Sequence, residues 1–174
     1  MTIDKKFNSF LITIPTYSRF LDVGGPSQKF LQKIINIYNT PDYYALNVST
    51  KRGAKDVRNF IQGSVCNIPI KEGFFDVTFS FNVFEHINEP WRAAEECVRV
   101  TKKGGLLIHN TTFSWRHHDP PDYYRYSHQG LAYLFERTNK VERIISEMGE
   151  FKKRKQREKW DELWKTIYIG RKKY

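Results

Sequence analysis

Apolar and polar residues alternate along this chain in blocks that switch between two periods. Arg19 to Val23 is a short apolar run, the length and composition of a buried strand. Residues 26–38 follow with Phe30, Leu31, Ile34, Ile35 and Tyr38 on one helical stripe, and Pro26 suits a first helical turn. Strands are predicted at 43–48, 59–63 and 74–81, the last rich in aromatic and β-branched residues. A helix is predicted over 90–101, with Pro90 at its start and Ala93, Ala94, Cys97 and Val98 on its inner face. A Lys-Lys-Gly-Gly turn then leads into a strand at 104–111. Ser127 is placed to cap a helix carrying Leu131, Leu134 and Phe135. Strands at 141–146 and 166–171 close the chain. Alternation of this kind predicts an α/β fold, a mostly parallel sheet covered by helices on both faces. Ligands of such sheets sit beyond the carboxyl ends of the strands. The loops to watch are therefore 22–28, 47–50, 64–68, 80–86 and 110–126.

Composition narrows the class. The chain has 174 residues, with 40% hydrophobic and 28% charged side chains, which suits one globular domain spanning 1–174. Its apolar runs are too short to cross a bilayer, and no secretory signal is read at the N-terminus. A cytoplasmic protein is expected, with Cys66 and Cys97 as reduced thiols. The net charge is +10, from 29 basic and 19 acidic residues, concentrated in FKKRKQREK (151–159) and GRKKY (170–174). Such a surplus favours polyanions, and keeps nucleic acid among the candidate partners.

The candidate chemistry begins at RFLDVGGPSQKF (19–30). A dinucleotide-binding fingerprint requires G-x-G-x-x-G at this turn, and Pro26 and Lys29 stand where its second and third glycines belong. FLDVGG, CNIPIKEGFFDVTFSFNVFEHI and WRAAEECVRVTKKGGLLI, in that order and spacing, instead resemble the class I S-adenosylmethionine-dependent methyltransferases, especially their small-molecule, ubiquinone-biosynthesis-like branch. The resemblance runs from about Arg19 to Phe135. It implies a single Rossmann-like domain with seven strands, or slightly fewer, and an antiparallel last strand.

The resemblance also implies a cofactor, S-adenosylmethionine, and a cradle for it. Asp22 would organise the first loop and the methionine ammonium, and Gly24 would stand where a side chain would block the ligand. Gly25, Val65 and Asn82 complete the implied contacts. The next family glycines fall on Pro26 and Gln28, and Pro26 brings bulk and removes an N–H. The ribose acceptor, an acid in the family, falls on Asn47, and the adenine acceptor on Ser64. Both are weaker acceptors than a carboxylate. These departures leave open a relative that has lost the cofactor and serves as a binding or partner subunit.

The acceptor side is read in HNTTFSWRHHDPPDYYRYS (109–127). Loops in compact domains usually run about 4–6 residues, and longer ones tend to be functional. Methyl transfer to a hydroxyl needs a base, a role that suits histidine. His86 and either His117 or His118 are the candidates, with Asp119, Asp122 and Tyr124 able to orient one of them; His86, His118 and Asp122 are the preferred set. His117, Asp119, Tyr123, Tyr124 and Arg125 are expected to shape a pocket for a small-molecule or glycan acceptor. A metal reading of His-His-Asp is set aside, because adjacent histidines on a loop point apart. Glu85 is read either as polarising the His86 imidazole or as balancing a helix N-terminus, with the second favoured. Finally, Trp160, Leu163, Trp164 and Ile167 recur at helical spacing. This predicts an amphipathic helix over 152–167, packed on the domain or forming a homo-oligomer contact. A nucleic-acid-directed methyltransferase is the third reading, motivated by the charge.

Overall fold

The computed structural model describes residues 10, 12–26, 32, 36–37, 42–50, 57–150 and 164–174. Seven strands form one sheet: β1 (Arg19–Val23), β2 (Asp42–Asn47), β3 (Asn59–Gln62), β4 (Phe75–Phe81), β5 (Thr101–Ser114), β6 (Val141–Glu150) and β7 (Trp164–Lys172). Their spatial order is β3-β2-β1-β4-β5-β7-β6. The first five strands run parallel. β7 inserts between β5 and β6, antiparallel to both. Chain order reverses between β1 and β4, where an open α/β sheet leaves a crevice beyond its carboxyl ends.

Both faces of the central strands are buried, which is why they read as unbroken apolar runs. Leu21, Val23, Leu107 and Tyr168 face a core shared with α1 (Pro90–Val100) and α2 (His128–Glu136). Phe20, Val77, Phe79, Ile108, Ile167 and Ile169 face the other side, with Ile14 and Val57. Ser127 caps α2 as expected, its Oγ accepting from the Gly130 N–H at 3.1 Å.

Two expectations change. The Lys-Lys-Gly-Gly stretch is part of β5, which starts at Thr101. Gly104 takes a positive φ of 75°, and a Cβ on Gly105 would meet the Asp76 carbonyl oxygen at 2.8 Å. The glycines therefore form a bulge against β4, not a turn. The amphipathic helix over 152–167 fails at its end: Trp164 and Ile167 belong to β7, where Ile167 is buried between strands. The rest of that segment, the basic run 151–159, Gln28 and most of the helix expected over 26–38 lie outside the described residues.

Candidate active site

The turn after β1 is built by backbone and amide. Gly24 takes φ 79° and donates its N–H to the Leu46 carbonyl at 2.8 Å. A Cβ there would lie 2.5 Å from Val83 Cγ2. Asn47 closes the turn, its Nδ2 donating to the Gly24 and Gly25 carbonyls at 3.0 and 2.9 Å. Its Oδ1 accepts from the Ser49 N–H. Asp22 is buried behind the turn, accepting a hydrogen bond from the Tyr43 hydroxyl. A Cβ on Gly25 would collide with that carboxyl. Asp22 and Gly25 thus hold the turn from behind and do not line the cavity.

That cavity, about 860 Å³, opens beyond the carboxyl ends of β1 to β4. It falls in the range typical of small-molecule pockets, about 300–1,000 Å³. Gly24, Asn47, Ser64, Val65 and Asn82 line it, as do His86, His118 and Asp119. The glycine turn and the histidine-rich stretch therefore share one crevice. The Ser64 hydroxyl accepts from the Cys66 N–H, leaving its proton to donate. Asn82 sits at φ 54°, and its Oδ1 is buried without a hydrogen-bond partner among the described residues.

The acceptor end is framed by a tightly bonded loop. Asp122 has its side chain fully buried. Both its oxygens accept from the Arg125 guanidinium, at 2.5 and 2.6 Å, and Oδ2 also accepts from the His118 N–H at 2.9 Å. The Arg125 fork holds this carboxyl well below the usual carboxylate range. Arg125 also donates to the carbonyls of Trp115, Arg116 and Tyr124. It is therefore occupied within the loop and is not among the residues that line the cavity. Tyr123 is exposed and His117 lies outside the cavity wall. Tyr124 donates its hydroxyl to the Asn88 carbonyl. These four shape the loop from outside the cavity.

His86 and His118 approach edge to face, ring centroids 4.9 Å apart. His86 Nδ1 lies 2.7 Å from the Pro121 carbonyl oxygen. His118 Nδ1 lies 3.2 Å from the Arg116 carbonyl oxygen and 3.3 Å from Asp122 Oδ2. A carbonyl has no proton to give, so each Nδ1 carries one and each neutral ring keeps its lone pair on Nε2. Glu85, read as a helix-terminus charge, is instead a buried tie to β5. Its carboxylate accepts from Thr111 Oγ1 at 2.6 Å and Thr112 Oγ1 at 3.4 Å. Its carbonyl accepts from the Tyr123 and Tyr124 N–H groups.

Sequence reasoning missed Thr112, Trp115, Cys66 and Lys165 in the cavity wall. Thr112 and Trp115 stood in the flagged stretch 110–126, and Cys66 in 64–68. Lys165 reaches the site only because β7 pairs beside β5, Thr112 opposite Lys165.

A parallel sheet with this order, an inserted antiparallel strand and a crevice at the switch point define the class I methyltransferase fold. The family described as Methyltransferase domain matches residues 21–109, and the chain belongs to that family. A methyltransferase of Mycolicibacterium gilvum, itself uncharacterized, is 32% identical over 93 residues, 51% of this chain and 36% of that protein. Another, from Mycobacterium sp. strain JLS, is 42% identical over 103 residues, covering 55% and 39%. The chain spans less than two fifths of the length of these relatives. Among solved structures, the [4+2]-cyclase SpnF superposes with TM-score 0.75 at 16% identity, covering 96% of this chain and 81% of that one. A Burkholderia thailandensis 1,6-didemethyltoxoflavin-N1-methyltransferase, with 1,6-didemethyltoxoflavin and S-adenosylhomocysteine bound, gives TM-score 0.68 at 15% identity, covering 91% of this chain and 72% of that one. These two share the fold, and their names show that it carries more than one chemistry.

Proposed function

We propose that this chain transfers a methyl group from S-adenosylmethionine to a hydroxyl of a small-molecule acceptor, with His86 or His118 as the base. The observation that carries the reading is the shared cavity, lined at one end by Gly24, Asn47 and Ser64 and at the other by His86 and His118. The site fits the cofactor. Gly24 leaves room where a Cβ would collide with Val83, the Ser64 hydroxyl can donate, and the buried Asn82 Oδ1 is an acceptor without a partner. When bound, the cofactor supplies an electrophilic methyl on a sulfonium. The chain's own residues do the rest. Asn47 fixes the turn, Arg125 and Asp122 hold the loop, and the carbonyls of Pro121 and Arg116 direct both Nε2 lone pairs to proton acceptance. Holding the acceptor in line contributes the larger part of catalysis, and proton transfer adds about 10²–10⁴-fold.

Calorimetric titration with S-adenosylmethionine and S-adenosylhomocysteine tests the first step, and micromolar binding is expected. Given binding, His86→Ala or His118→Ala should lower kcat by about 10²–10⁴-fold with little change in cofactor affinity. A residue whose replacement leaves kcat unchanged is not the base. A second reading, a binding subunit without catalysis, is favoured by Asn47. Its amide holds the turn where a ribose-binding carboxylate would be expected. Silence at millimolar cofactor would select it.

A further inference from the structure

We infer that Glu85, His86 and His118 form a binding site for a divalent transition-metal ion of the zinc class. The inference goes beyond methyl transfer and does not depend on it. One ligand atom from each of the three side chains falls within 4.8 Å of the other two. Ligands on a tetrahedral ion at 2.0–2.2 Å stand about 3.3–3.6 Å apart, so closure of roughly 1.5 Å or less brings the three onto one ion. His118 sits on a loop and Glu85 has two oxygens, one held at 2.6 Å by Thr111 and the other only loosely, at 3.4 Å, by Thr112.

The surroundings of the rings argue for the same site. Metal-binding histidines donate their second ring N–H to a carbonyl or carboxylate, which fixes the tautomer and orients the ring. His86 Nδ1 does so to Pro121, and His118 Nδ1 faces both the Arg116 carbonyl and Asp122. With Nδ1 engaged in this way, the lone pair on each Nε2 is the one available to an ion. Asp122 is itself fixed by Arg125, and the Glu85 carboxylate by a threonine hydroxyl, so each ligand has an outer partner. A third ligand that is a buried carboxylate would offset part of the ion's charge. Two imidazoles with one carboxylate select zinc, cobalt or nickel over magnesium or calcium, which prefer all-oxygen ligands. Both histidines line the cavity, so an ion there would keep open positions toward a bound molecule. Occupancy would engage the lone pairs that the proposed base needs, so the test reads binding and not turnover.

Tag-free protein stripped with chelator and then dialysed free of it is titrated with Zn²⁺ by calorimetry, and with Co²⁺ by visible absorption, without cofactor. One ion per chain is expected, at micromolar or tighter affinity, with cobalt bands of a four- or five-coordinate site. His86→Ala and His118→Ala should each weaken binding at least about tenfold, and Glu85→Gln by a similar factor. His117→Ala and His128→Ala should leave it unchanged. Thermal melts of each variant check folding, and His118→Ala, on a loop, decides the matter if Glu85→Gln unfolds. No saturable uptake at about 100 µM Zn²⁺, or uptake that survives His118→Ala, overturns the site. A parallel cofactor titration in chelator keeps this result separate from the fate of the methyltransferase reading.

Discussion

Gly24 shows how much one missing side chain decides. Its φ of 79° disfavours an L side chain by about 1–2 kcal/mol, and a Cβ would press on Val83 from 2.5 Å. Gly24→Ala should therefore lower Tm by roughly 3–8 °C and weaken S-adenosylhomocysteine binding by about tenfold or more. Calorimetry on the variant measures both, and unchanged affinity would place the cofactor elsewhere. At this scale the sequence showed which residue types were present but not which groups they would meet. Asn47 was legible as a weak ribose acceptor, yet its amide bonds to two carbonyls of the turn. Arg125 was legible as a charge for an acceptor, yet it closes on Asp122. Short-range spacing cannot reveal which of several polar partners a side chain will choose.

Elements show the reverse balance. The strands β1, β2, β3 and β4 and the cap at Ser127 were legible because hydrophobic period and capping are local. Ser127→Ala removes the hydroxyl that accepts from Gly130 and should cost about 1 kcal/mol, a Tm drop of roughly 2–4 °C. An unaltered melt would mean that the end of α2 is held otherwise. The loop before α2 behaves as an element too, its order resting on the Asp122–Arg125 fork. Asp122→Ala should open it, speeding tryptic cleavage at Arg116 or Arg125 by about tenfold or more. Cofactor affinity, set at the far end of the cavity, should change little. Equal cleavage rates would show that the fork is not what orders the loop.

For the whole molecule, the buried His109 is the clearest handle. It is fully buried, stacked on Phe135 with its centroid 4.5 Å away, and bonded to Ser80 through Nδ1. Burial lowers it to about 3, against an ordinary 6.5. The unfolded chain therefore binds the extra proton first. The contribution is complete above about pH 6.5 and is lost as pH falls toward 3, at about 1.4 kcal/mol per pH unit. Asp122 and Glu96 are held low by Arg125 and Arg99, so their contributions persist down to about pH 5 and fade below it, as the unfolded carboxylates begin to take up protons. Urea unfolding at pH 7, 6 and 5 should show the decline, and His109→Gln should flatten it. An equal slope in the variant would assign the decline to other groups. No described helix is long and apolar enough to cross a membrane.

By itself the sequence determined the order of strands and helices, the loops that carry chemistry and the family likeness. All of these are written in contiguous residues. Only the tertiary structure decided that β7 would bring Lys165 beside Thr112, that Asp22 and Asp122 would be buried as braces, and that Glu85, His86 and His118 would meet. Most of these meetings join residues far apart in the chain, and even the local one, Asp122 with Arg125 and His118, depends on how the loop folds. They depend on strand register, on which faces pack together and on which polar groups are left to pair once water is excluded, and no local pattern encodes these.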